Sequence, residues 1–90
     1  MGIHLEYRVE VFEEEGQYVA LCPELNVSSF GNTVETAKIS LQEAVELFLE
    51  ECESMGTLNE VLSEAGFIPD PQRPSHWKGR KPILTDRVAL

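Results

Sequence analysis

The chain has few of the residues from which metal, cofactor and disulfide sites are built. Cysteine occurs twice, at Cys22 and Cys52, histidine twice, at His4 and His76, and tryptophan once, at Trp77. There is no CxxC pair and no Cys/His cluster, so neither a zinc site nor any other metal centre is expected. The two thiols read as small buried apolar groups rather than a disulfide framework. Long hydrophobic runs are also missing, and nothing approaches the roughly 18 apolar residues of a membrane span. The opening residues Met1 to Glu6 lack the basic-then-apolar order of a signal peptide. Glu6 stands where a myristoylation pattern needs Ser or Thr. The expected location is the cytoplasm, with no membrane partner.

Basic residues are scarce over most of the chain. Residues 1–72 contain only Arg8 and Lys38, against fifteen Asp and Glu. Residues 73–90 reverse the sign, with Arg73, Lys78, Arg80, Lys81 and Arg87 against Asp86. An acidic body repels phosphate, which argues against general nucleic-acid binding. It speeds encounter with a basic partner. Solubility alone also accounts for an acidic surface. The 90 residues, 42% of them hydrophobic, are expected to form one domain over 1–90 with one modest core. Oligomerisation would supplement so small a core.

The patterning predicts a β-β-β-α-α-β order. Leu5, Tyr7, Val9 and Val11 alternate with Glu6, Arg8 and Glu10, the period of a half-buried strand. Glu13 to Gln17 is a polar hairpin connection, with Gly16 free to take positive φ. Tyr18 to Cys22 forms the second strand, stopped by Pro23. Val27 to Phe30 forms a short third strand. Asn32 or Thr33 caps a long helix, and with Asn32 as cap, Glu35 takes the reciprocal capping-box position. Val34, Ala37, Leu41, Ala44, Val45, Phe48, Cys52 and Met55 make one apolar stripe, which lays this helix across the sheet, and Gly56 ends it. Thr57 to Glu60 reads as a second capping box, opening a short helix with Leu58, Val61, Leu62 and Ala65. The proline-rich segment 68–82 reads as an extended loop, and 83–90 as a final strand. The fold class is therefore α+β: a three-stranded antiparallel sheet plus a C-terminal strand, one long helix packed on one face and a second short helix.

The run Tyr18-Val19-Ala20-Leu21-Cys22-Pro23-Glu24-Leu25, followed by Gly31, Thr33, Glu35 and Ala37 at the helix start, resembles the HicB antitoxin family. Glu43-Ala44 and Leu47-Phe48-Leu49-Glu50 continue the likeness, which covers about residues 5–55. Leu62 to Phe67 is similar to the ending of short, single-domain members. The resemblance implies a truncated ribonuclease-H-like sheet carrying a helix, without nuclease activity. It also implies a type II toxin–antitoxin role: binding and neutralising a small basic HicA-like mRNA-cleaving ribonuclease by covering its catalytic surface. The chain departs from the family pattern after Leu25, where Asn26-Val27 replaces the frequent Pro-Gly. Pro69, Pro71, Pro74 and Pro82 do not suit the DNA-binding domain that many members add, so no direct DNA contact is expected.

No catalytic residue and no cofactor are expected. Glu6 and Glu10 share the polar face of the first strand and read as solvated rather than as nuclease metal ligands. Cys22 has no sequence-local base and reads as a structural thiol. Glu43, Glu46, Glu50, Glu51 and Glu53 form either a solvated helix surface or an acidic wall toward a basic toxin. Ile39 and Leu47 fall off the helix stripe, to pack under a neighbouring element or to make a dimer contact. Tyr18, Pro23, Glu24 and Phe30, around the strand-two motif, are the candidate partner-binding residues. The basic segment around Trp77 is expected to pair with the acidic body, with Trp77 covering the core edge, in preference to a nucleic-acid patch. The competing reading is a self-associating structural or regulatory domain, a dimer or tetramer, with no toxin.

Overall fold

A computed structural model of the chain describes residues 2–90. Its architecture is α+β, with the order expected: strands, two helices, then strand. The central unit is a meander of β2 (Glu10–Glu14), β3 (Gln17–Cys22) and β4 (Val27–Gly31), antiparallel throughout. Glu15 and Gly16 join β2 to β3 with both φ values positive, the signature of a two-residue turn matched to strand twist. The pairing Val11–Ala20–Ser29 puts those residues on one face, and Val19 with Phe12 and Phe30 on the other.

Helix α1 (Val34–Ser54) lies on the first of these faces. Thr33 caps it: the Thr36 amide donates to Thr33 Oγ1 at 3.1 Å, and the Thr33 amide donates to Thr36 Oγ1 at 3.0 Å. The capping box therefore sits one residue later than Asn32–Glu35, with two threonines making both reciprocal bonds. Ala37, Leu41, Val45, Leu49 and Cys52 are the buried line of the helix. Leu49 belongs to that line although the expected stripe omitted it. Val34 and Met55, at the two ends of α1, are exposed. The core joins this line to Ala20, Cys22, Leu62 and Phe67.

Helix α2 (Leu58–Glu64) inserts Leu62 into the core. Thr57 makes no side-chain cap, so the second expected capping box does not form. Its hydroxyl donates instead to the Cys52 carbonyl at 3.3 Å, a bond that closes the end of α1. Gly66, at φ +92°, ends α2, while the Phe67 amide donates to the Leu62 carbonyl at 3.0 Å. This left-handed ending turns Phe67 back into the core.

Three expectations for the strands need correction. The first strand is two: β1 (His4–Glu6) and β2, with Tyr7 to Val9 between them. Leu5, Tyr7, Val9 and Val11 are all half-buried, with Glu6 and Arg8 exposed between them and Glu10 half-buried, but the two halves have different partners. Segment 68–82 is not only a loop, because it contains β5 (Ile68–Pro69) and β6 (His76–Lys78). Strand β6 pairs parallel with β1 and antiparallel with β5, forming a second small sheet. Trp77 packs against the core from that strand, as expected of a residue covering the core edge, but among the described residues only Arg73 of the basic segment pairs with an acid of the body, Asp70 three residues away. Residues 83–90 form no strand and are exposed along their whole length. Their β-forming residues lack what β-propensity requires, a partner strand and a covering layer.

Candidate functional site

The expected partner-binding residues do not form one surface. Tyr18 is half-buried against the core cluster, on the α1 side of β3. Phe30 sits at the same end of the sheet but faces the opposite way, because it pairs with Val19 while Tyr18 pairs with Gly31. Pro23 and Glu24 follow the far end of β3, roughly 17 Å along the strand at the usual rise per residue. The Glu24 carboxylate is turned inward. Its Oε2 lies 3.8 Å from Arg8 Nε, and its Oε1 is buried without a hydrogen-bond partner.

Strand register builds a different surface from residues the sequence did not single out together. Phe12, Val19 and Phe30 stand side by side across β2, β3 and β4, on the face that neither helix covers. Phe12 is 49% and Phe30 64% exposed. Leu21 extends the apolar row one pair along, flanked by Glu10 and Ser28. Beyond Phe30, the face runs into Gln17, Glu14 and Glu15, which line a shallow depression with Val19. The result is an apolar strip with an acidic rim at the hairpin. Sequence patterning placed Val19 and Phe30 in strands and left Phe12 unassigned, and only register brings the three into one row.

Helix α1 carries a second acidic feature. Glu43, Glu46, Glu50, Glu51 and Glu53 are all exposed, and the last turn holds no basic residue. Three of these carboxylates stand at the negative end of the helix dipole, an unfavourable placement. Ile39 and Leu47 are exposed on the same helix, so neither packs beneath another element.

A cleft of ≈ 500 Å³ lies between α1 and the small sheet, lined in part by Gln42, Glu46, Arg73 and Trp77. Across the β1–β6 pair, the His4 and His76 rings stack at 4.3 Å between centroids. Asp70 accepts from the Gln72 amide and from Arg73 Nε, both at 2.8 Å. The Gln72 amide, and then Arg73, hold its carboxyl below the ordinary value. Among the described residues, neither imidazole donates or accepts a side-chain hydrogen bond, so no group orients it as a general base. Among the described residues, no group of three or more His, Cys, Asp or Glu is placed to hold a metal ion. Cys22 is buried, and burial pushes its thiol above the ordinary value despite backbone N–H groups near Leu25 and Glu24. That is the reverse of an activated nucleophile. No helix of the described residues is long and apolar enough to cross a membrane.

No known protein family, curated protein or solved structure matches this chain.

Proposed function

We propose that this chain is a protein-binding module, a HicB-like antitoxin of a type II toxin–antitoxin system. It would bind and neutralise a small basic HicA-like mRNA-cleaving ribonuclease in the cytoplasm. The observation that carries the reading is the open sheet face, where Phe12, Val19 and Phe30 form an apolar row that ends in the acidic hairpin. An apolar centre with a charged rim is the usual anatomy of a protein–protein interface. The acids of the hairpin and of α1 would steer a cationic partner, and the aromatic pair would hold it. The carboxylates at the end of α1, unfavourable in the free chain, would be relieved by that partner's cations. The resemblance of the strand and helix-start motifs supplies the partner class. The acidic balance of residues 1–72 agrees with it.

Affinity capture from the native lysate tests the reading. The expected result is a small basic ribonuclease, released as salt rises, whose RNA cleavage the purified chain inhibits. Phe30→Asp should abolish both capture and inhibition. Recovery of no ribonuclease at low salt would end the antitoxin assignment.

A further inference from the structure

The cleft between α1 and the small sheet has the size of a small-molecule site, at ≈ 500 Å³. Leu5, Tyr7, Val45, Leu49 and Trp77 give it an apolar and aromatic lining. The charges around it are Glu6, Glu46 and Asp70 against Arg73 and Lys78. Both cations stand beside an acid. Arg73 Nε donates to Asp70 at 2.8 Å, and Lys78 is registered opposite Glu6 across the β1–β6 pair. The His4 and His76 rings stack on one another.

Glu46, on the α1 wall, is the charge left over. Among the described residues its carboxylate joins no ion pair. Its one side-chain hydrogen bond comes from Gln42 Nε2, which reaches Oε1 at a long 3.5 Å, while Oε2 has no partner. The Tyr7 phenol lies in the field of this carboxylate: burial first, then the charges of Cys22 and Glu46, push it above its ordinary value. Among the described residues, the Tyr7 hydroxyl makes no side-chain hydrogen bond that would commit it elsewhere.

We propose that this cleft binds a primary alkylammonium group, with the ammonium against Glu46 and the Tyr7 hydroxyl and the alkyl stem along Trp77. The unmatched carboxylate calls for a cation, and the aromatic lining calls for one with an apolar stem. Tyr and Trp rings themselves attract a cation within about 6 Å. An ammonium fits better than a guanidinium. The planar fork of arginine is matched by two carboxylate oxygens, and Gln42 already occupies one of these, whereas an ammonium is satisfied by separate acceptors. A metal ion is a poor occupant, because among the described residues no group of three or more His, Cys, Asp or Glu is placed to hold one. The alkylammonium is that of a lysine side chain on another protein or of a free diamine. The cleft shares no lining residue with the Phe12–Val19–Phe30 row, so this inference and the antitoxin reading can fail separately.

Titration of the full chain with n-butylamine in neutral buffer of fixed ionic strength tests it. Trp77 is the only tryptophan and lines the cleft, so its emission reports entry. Broadening of the ligand's own NMR lines gives a second readout. Saturation with a Kd on the order of millimolar is expected, within the ceiling for so small a ligand. Butanol, which keeps the stem without the charge, should bind at least about tenfold more weakly. Glu46→Gln alters an exposed helix position and should weaken butylamine by about tenfold or more with unchanged circular dichroism. Glu43→Gln removes an acid of the same helix outside the cleft and should leave the titration as in wild type. Tighter binding of Nα-acetyl-lysine amide than of putrescine assigns the group to a protein side chain, and the reverse order assigns it to a free diamine. Four results would overturn the proposal: no saturation by either readout, butanol binding as well as butylamine, butyrate binding more tightly than both, or equal losses in Glu46→Gln and Glu43→Gln. The last would mean attraction by the acidic surface in general.

Discussion

Gly31→Ala is expected to be one of the most damaging small substitutions in the chain. Gly31 closes β4 just before α1 turns back over the sheet. A Cβ at this position would lie 2.5 Å from Thr36 Oγ1, 2.7 Å from the Ala37 nitrogen and 2.9 Å from the Thr36 carbonyl carbon. Comfortable contacts between such atoms begin at about 3.5 Å, so the first turn of α1 must retreat by roughly 0.8 Å to clear the Ala37 nitrogen. Two of the three atoms are backbone, and no rotamer change moves them. Overpacking of this kind costs about 1–3 kcal/mol. Disturbing the Thr33–Thr36 cap adds about 1 kcal/mol. The reduced freedom of the unfolded chain gives back about 0.4–1 kcal/mol. The net expectation is a loss of about 2 kcal/mol. Urea unfolding followed by far-UV circular dichroism, which α1 dominates, would read this as a midpoint about 1–2 M lower with an unchanged slope. Gly2→Ala, whose Cβ meets nothing within 4 Å, is the control and should stay within about 0.5 kcal/mol. Adding Thr36→Ala to Gly31→Ala should not restore stability, because the backbone contacts remain. A Gly31→Ala chain as stable as wild type would refute the close-approach argument.

Other expectations follow from single observations. Leu41 is fully buried at the centre of the α1 line, so Leu41→Ala should cost about 2–5 kcal/mol in the same urea assay, while exposed Ile39→Ala should change little. Thr33→Ala should destabilise the chain by about 1 kcal/mol and Asn32→Ala by much less, since Thr33 makes the cap bonds. Burial raises the Cys22 thiol, and burial, followed by the Cys22 and Glu46 charges, raises the Tyr7 phenol. Both groups fold in their neutral forms. The stability they contribute is therefore complete below their ordinary values of 9.0 and 10.0 and is lost as pH climbs past them. Melting temperature should fall in that alkaline range, and Cys22→Ala should remove the thiol's share of the fall.

The elements with local signals were legible in the sequence. The β2–β3 hairpin was visible in its Glu-Gly turn, and α1 in an uninterrupted run from cap to glycine. Strand β6 was hidden because its signal is not local. His76–Lys78 is flanked by prolines and charges and becomes a strand only by meeting β1 from the other end of the chain. Residues 83–90 show the converse: local β-propensity without a partner gives no strand. Thr33 was one of the two caps the sequence offered, but its reciprocal partner was hidden because the usual capping box ends in Glu or Gln, whereas Thr36 makes the same bond with a hydroxyl. The open face was invisible for a deeper reason. Phe12, Val19 and Phe30 are scattered in sequence, and period-two patterning assigns each only to one side of its own strand. Which residues stand abreast depends on pairing register, and the two turns of the meander set that.

The divided first strand has a kinetic consequence. The meander and α1 are built from neighbouring segments and require only short loops to close. The pairing of His4 with His76 and of Leu5 with Trp77 instead closes nearly the whole chain into a ring. Such a contact is entropically the most demanding to make and is rewarded only once the intervening elements are in place. It should therefore form last and open first. Native-state hydrogen exchange would show this as two tiers. The His4 and Gly79 amides, which donate to Ser75 and Glu6, should exchange through a low-energy opening that leaves β3 protected.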